Sequence, residues 1–293
     1  LYDFGAAALR AHGDSRFPFL ALMLSGIANV ALNLFFVAVL RMGVAGVAAA
    51  TDISTGLAAL AVMRRLTRDP VLRFSLGGAK FSMHTALDIL KNGVPAAVQS
   101  AVFCFANIFV QASVNSFGET AIAGSTVAMN FEYLTYYIIT AFGQTATTFT
   151  SQNHAAGHDA RCRRILWLCL GLSAVCSCVP IFTLVLFRDF FSGLFTQETA
   201  VIESASVRIL CILLYEPICN LYEIPSGALR GSGHALYPTA AAVAGTCAFR
   251  IVWICTVFRA NHTLPMLYHA FPLSWCATVM LVALGFAVLK PKS

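Results

Sequence analysis

Four ionisable side chains stand inside otherwise apolar stretches of this chain: Asp52, Glu132, Glu216 and Arg250. A charged group in the middle of a bilayer costs at least about 2.5 kcal/mol on insertion scales, so it faces a bundle interior or a watery cavity and points to an ion or substrate path. Glu132 is the foremost candidate. Its segment also carries Asn130, Tyr133, Tyr137, Thr140 and Gln144 at helical spacing, which makes one polar and aromatic stripe with Glu132 and Tyr136 beside it at i and i+4. A carboxyl there can exchange a proton or hold a sodium ion, or it can cap a buried hydrogen-bond network that only joins helices. The preceding segment adds Gln99, Asn107, Gln111 and Asn115, a slowly rotating polar line toward the same cavity. Interhelical bonds of that kind contribute about 0.6 kcal/mol each. Glu216 directly precedes Pro217, whose ring removes a helical hydrogen bond, so this carboxyl suits an ion site or a helix interface. Asp52, between Thr51 and Ser54 in a small-residue helix, is open to the same two readings.

Apolar helices must position these groups. The chain has 293 residues, 58% hydrophobic and 11% charged, with a mean hydropathy of +0.76. A soluble domain averages about 25% charged residues, so no charged coat exists for a soluble globule. About 20 apolar residues span the hydrocarbon layer. Eight segments qualify, at about 17–40, 43–63, 94–117, 120–149, 165–187, 205–226, 237–258 and 267–289. Residues 1–11 look like the tail of a ninth helix, and the opening Leu1 suggests a chain that begins partway into a longer protein. The expected fold class is all-α, a polytopic helical membrane bundle. Continuous runs exclude a β-barrel, which needs alternating segments of about ten residues. Ten cysteines, scattered singly without ligand spacing, argue against a disulfide framework or a zinc site.

Lys and Arg gather in alternate loops. One set holds Arg10, Arg16, Arg64, Arg65, Arg68, Arg73, Lys80, Lys91, Arg161, Arg163, Arg164, Arg230, Lys290 and Lys292, and the other only Arg41, Arg188, Arg208 and Arg259. The first set therefore faces the cytoplasm. No loop gathers the basic and aromatic surface that a nucleic-acid partner needs. The stretch LYDFGAAALRAHGDSRFP from Leu1 recurs as LYEIPSGALRGSGHALYP from Leu221, with seven identities in eighteen ungapped positions. Six expected spans separate the copies, and an even number gives the repeats parallel orientation. The second copy follows a lead-in of four helices from near Gly93, which the first copy lacks. The expected organisation is a remnant of an N-terminal lobe at 1–63, a linker at 64–92 and a six-helix lobe at 93–293. Within the linker, Lys80, Phe81, Ala86, Leu87, Asp88, Ile89, Leu90 and Lys91 suggest a short amphipathic helix on the membrane surface.

At this point the residues resemble the multidrug and toxic compound extrusion (MATE) transporters. Residues 8–16 and 227–233 look like the Gly-x-Leu-Arg-Gly-x-Gly turns of its two six-helix halves. Gly93-Val94-Pro95-Ala96 is similar to the opening of its seventh helix, 148–153 to the end of its eighth, and Arg250-Ile251-Val252-Trp253 with Pro272-Leu273-Ser274-Trp275 to its eleventh and twelfth. The resemblance covers nearly the whole chain and implies that about four helices of the same protein precede it. It also departs from the family: Phe103 stands where one branch has a seventh-helix glutamate, Cys219 near where it has a tenth-helix aspartate, and the first-helix aspartate of another branch has no counterpart.

The resemblance implies a multi-pass protein of the bacterial inner membrane. It would export amphipathic organic cations, held near the midplane between lobes, by alternating access, with sodium or protons as coupling ion and no cofactor. Arg250 matches an arginine of one family branch and is expected to neutralise Glu216 or Glu223 or to snorkel outward. Arg10 and Arg230, at equivalent repeat positions, are expected to bind the last carbonyls of their helices. Two alternatives remain. A lipid-linked sugar flippase of a related two-lobe family would have a more cationic cavity, whereas the expected interior holds more acidic than basic groups. A non-transporting membrane scaffold is the other. An enzyme is not expected, since the chain has no H-E-x-x-H, no G-x-S-x-G and no paired aspartates on adjacent spans.

Overall fold

A computed structural model describes residues 1–69 and 82–288. They form two compact units, Leu1–Ser82 and Met83–Ser293. Arg73, Lys80, Phe81, Lys290 and Lys292, which entered the orientation and linker expectations, lie outside the described residues.

The first unit has three helices, α1 (Tyr2–Ala11), α2 (Arg16–Asn33, prolonged by a π-helical turn over Leu34–Val39) and α3 (Gly43–Arg68). Leu9, Ala21, Val62 and Leu66 make its core. Gly5 lets α1 lie directly against Val62, where a Cβ would stand 2.6 Å from the valine Cγ1. Arg65 of α3 reaches Asp14, in the turn between α1 and α2, at 3.3 Å.

In the second unit α4 (Met83–Asn115) is followed by α5 (Glu119–Ala155), α6 (Asp159–Leu186) and the short α7 (Arg188–Gly193). Next come α8 (Thr199–Cys211), a 3₁₀ stretch (Leu213–Cys219) and α9 (Asn220–Gly231). The last part is α10 (Leu236–Ala242), a π turn (Val243–Ala248), α11 (Phe249–Trp253), a second π turn (Ile254–Phe258), α12 (Leu264–Tyr268) and α13 (Ala270–Val288). No break occurs at Gly93. Residues 83–92, expected to hold most of a separate surface helix, are the first turns of α4.

Among the described residues, six helical segments are long and apolar enough to cross a membrane: 16–39, 43–68, 97–115, 159–186, 236–258 and 264–288. The two other expected spans, 120–149 and 205–226, are helical but depart from that pattern. The first lies within the 37-residue α5. The second is interrupted by the 3₁₀ stretch at Pro217, whose missing N–H cannot continue an α-helical ladder. These are also the segments that carry Glu132 and Glu216.

α5 packs against α6, α8 and α9. Its buried positions are mostly small, Ala121, Gly124, Ser125, Ala128, Thr135, Gly143, Ala146 and Thr150 among them, at helical spacing. Small residues let helix backbones approach closely where lipid supplies no hydrophobic drive between helices. The approach to α9 is closest. A Cβ on Gly227 would run into the carbonyl oxygen of Gly143, and one on Gly231 would lie 2.6 Å from that of Thr147.

The sequence repeat is also a structural one. In both copies the helix ends in a left-handed glycine, Gly13 (φ 99°) and Gly233 (φ 87°). The following N–H reaches back five residues, Asp14 to the Leu9 carbonyl and His234 to that of Leu229, each at 2.9 Å. This is the Schellman way of satisfying a carbonyl that the helix leaves without a partner. The same register carries on past the sequence identity. The π turn at Leu34–Val39 aligns with that at Ile254–Phe258, and α3 at Gly43–Arg68 with the pair α12 and α13 over 264–288.

Candidate functional site: a charged aromatic cleft

A cleft of about 130 Å³ opens in the second unit. α4 supplies Phe103, Asn107 and Gln111, and α5 supplies Glu132, Tyr133 and Tyr136. Arg208 comes from α8, Glu216 from the 3₁₀ stretch, Arg250 from α11, and Phe271 and Trp275 from α13.

Glu132 is paired there. Arg208 donates from Nε to Oε1 at 2.7 Å and from Nη2 to Oε2 at 2.8 Å. Its Nη1 donates to Ser125 Oγ at 2.7 Å, and the guanidinium lies over the rings of Tyr268 and Phe271 at 5.2 and 5.5 Å. Both carboxylate oxygens and all three guanidinium nitrogens are thus engaged. Arg208 is 3% exposed. A bidentate pair of this kind is the geometry that offsets the large desolvation cost of a buried charge.

Glu216 differs. It is 2% exposed, and its Oε2 accepts a hydrogen bond from Thr135 Oγ1 at 2.6 Å. Among the described residues no cation forms an ion pair with it. Pro217 explains its placement, since the 3₁₀ stretch turns this residue toward α5.

Arg250 donates from Nε to Ser274 Oγ at 3.1 Å, and its guanidinium stacks 4.0 Å from the Phe271 ring centre, with Phe103 at 5.8 Å. This corrects the expectation that it neutralises Glu216 or Glu223 or snorkels outward. It is 3% exposed, and Glu223 is instead paired with Arg230 at 3.1 Å. That pair also corrects the carbonyl-binding role expected of Arg230, whose side chain finds a carboxylate two turns back on its own helix. Arg10 lies exposed on the last turn of α1.

The cleft brings together seven of the expected residues: Asn107, Gln111, Glu132, Tyr133, Tyr136, Glu216 and Arg250. Others lie elsewhere. Gln99 accepts from Thr239 Oγ1 at 3.1 Å, and Asn130 donates to the Thr126 carbonyl on its own helix. Tyr137 is exposed and stacks on Tyr133, while Gln144 is exposed about two turns further along α5. The polar stripe through Asn130, Tyr137 and Gln144 is therefore not the packed face of α5. The small-residue stripe is, and Glu132 and Tyr136 stand at its margin. Asp52 is exposed on α3 in the first unit, where Asn29 donates to Ser54 Oγ at 3.2 Å in the buried polar cluster.

Arg208 is a site residue absent from the candidates that the sequence singles out. A span boundary read at Ala205 left it near a loop, whereas α8 begins at Thr199 and puts it in the third turn. Its signal was available, because an arginine three residues inside an apolar stretch that opens at Ala205 is a candidate partner for a carboxylate inside another. With it, the cleft holds two acids and two arginines rather than an acidic excess.

A helical protein with an internal repeat and a charged, aromatic cleft among its apolar helices has the build of a polytopic membrane transporter. The chain belongs to the MATE family: the MatE family model matches residues 95–255. It is a multi-pass protein of the cell membrane. The probable multidrug resistance protein YpnP of Bacillus subtilis is 27% identical over 235 residues, covering 80% of this chain and 53% of the relative. The probable multidrug resistance protein NorM of Thermotoga maritima is 27% identical over 249 residues, 80% of this chain and 51% of its own. The chain thus spans about half the length of these curated relatives. The MATE transporter VcmN of Vibrio cholerae superposes with a TM-score of 0.86 at 16% identity over 98% of this chain and 65% of that one. A multidrug resistance MATE family transporter in an outward-facing conformation does so at 0.87 and 18%, over 99% and 66%. At such identities the likeness is one of fold.

Proposed function

We propose that the protein acts as a cation-coupled antiporter, exporting amphipathic organic cations by alternating access, and that Glu216 rather than Glu132 takes up the coupling ion. One observation carries this reading: of the two acids in the cleft, Glu132 has both oxygens held by Arg208, while Glu216 accepts from the neutral hydroxyl of Thr135. A carboxyl already balanced by a guanidinium gains little from binding a further cation. One balanced by a hydroxyl gains much, because a buried charge without a counter-charge is costly. A lone carboxylate and a hydroxyl suit a proton, which needs one acceptor, better than sodium, which needs a shell of oxygens. Phe103, Tyr136, Phe271 and Trp275 offer ring faces that attract organic cations. The exported compound keeps its covalent bonds throughout this cycle, which is that of a carrier rather than an enzyme.

The test is efflux of a cationic dye from cells expressing the protein, with sodium and proton gradients imposed separately. A proton gradient is expected to drive export, and Glu216→Gln to remove that dependence. Unchanged coupling in Glu216→Gln would refute the assignment.

A further inference from the structure

We propose that Arg250 is an anion-binding residue, and that the cleft takes an aromatic ligand whose carboxylate docks on this guanidinium.

The charges in the cleft are unevenly matched. Arg208 has spent all three of its nitrogens on Glu132 and Ser125. Arg250, equally buried at 3% exposure, has spent one: Nε donates to Ser274, and among the described residues neither Nη group has a hydrogen-bond acceptor and no carboxylate stands at ion-pair distance. Glu216 lines the same cleft but directs Oε2 to Thr135. Two NH₂ groups of one buried guanidinium thus open onto the cleft, where a ligand acceptor can take the hydrogen bonds that the protein leaves unmade. Phe271 covers one face of the guanidinium at 4.0 Å and Ser274 holds its Nε, and the group lines the cleft, from which an acceptor can approach. Phe271 also fixes the plane of the group. A planar guanidinium held in this way presents a fork that matches a carboxylate with two parallel hydrogen bonds. Trp275, Phe103 and Tyr136, beside it in the cleft, supply apolar area for an aromatic body.

This deepens the transport reading by naming a second charge that the cleft recognises, and it rests on that reading only in taking the cleft as a ligand site. Equilibrium binding without any gradient tests it separately from coupling. Dansylglycine and its methyl ester share a fluorescent aromatic body and differ in the carboxylate. With the purified full chain in detergent, the acid is expected to bind at least about tenfold more tightly than the ester, the scale of a charge-assisted bidentate contact. Arg250→Gln is expected to reduce acid affinity to that of the ester and to leave the ester unchanged, which also reports that the variant is folded. Arg250→Lys, which keeps charge but not the fork, should retain part of the preference. Equal binding of acid and ester by the wild-type chain, binding of neither, or a preference that survives Arg250→Gln would each overturn the proposal. The wild-type comparison suffices to do so even if Arg250→Gln does not fold. Loss of gradient-driven export with the acid preference intact would overturn the antiport reading alone.

Discussion

The Arg208 guanidinium grips both carboxylate oxygens of Glu132 and ties α8 to α5 across 76 residues of sequence. Removing one partner leaves the other charge buried and uncompensated. Glu132→Leu or Arg208→Met alone should therefore lower stability by about 3–5 kcal/mol. The double variant, which removes both charges, should recover most of that loss. Thermal unfolding of the purified chain in detergent measures all three, and independent, additive effects would show that the pair is not a unit.

Glu216→Gln keeps a carbonyl oxygen where Thr135 donates, and changes stability by less than about 1.5 kcal/mol, the scale of one hydrogen bond. Its effect should appear in coupling instead: dye efflux that no longer responds to an imposed proton gradient, from protein present at wild-type levels on immunoblots.

The contact between α5 and α9 leaves no room for a methyl group. Gly231→Ala should cost about 1–3 kcal/mol, the usual penalty for overpacking. Gly171→Ala on α6 meets nothing within 4 Å and should be neutral or slightly stabilising. The difference between their unfolding temperatures checks the closeness of that helix pair.

Gly13 and Gly233 end equivalent helices of the repeat with φ near 90°. Alanine at either position should cost about 1–2 kcal/mol because its Cβ opposes the left-handed backbone, and asparagine should cost less. Amide hydrogen exchange at the Asp14 and His234 N–H groups reports each turn locally. Unequal protection losses would mean that the two turns do not do the same structural work.

Much of the fold is legible in one dimension. Apolar runs about a bilayer thick define the spans, because the hydrocarbon layer fixes their length. A constant offset between Leu1 and Leu221 announces equivalent helix ends, because the left-handed turn tolerates few residues other than glycine. It proves to extend beyond the identities, to the paired π turns and to α3 against α12 and α13. Less of the site is legible. Glu132, Tyr136, Asn107 and Glu216 could be picked out because polar groups in apolar runs are costly and so are there for a reason.

Which partner each polar group finds is a different matter. From the sequence alone follow the several apolar spans, the repeat of equivalent helix ends and the acids that lie within apolar helices. Periodicity and hydropathy are local properties, and these conclusions need nothing more. Helix packing sets Glu132 against Arg208, Glu216 on Thr135, and Arg250 between Ser274 and Phe271, with no carboxylate paired to it among the described residues. Those partners lie 76, 81 and 21–24 residues apart along the chain. The rotation of each helix about its axis chooses among them. That rotation is set by the small residues through which α5 meets α8 and α9, not by the polar stripe that the sequence displays most plainly.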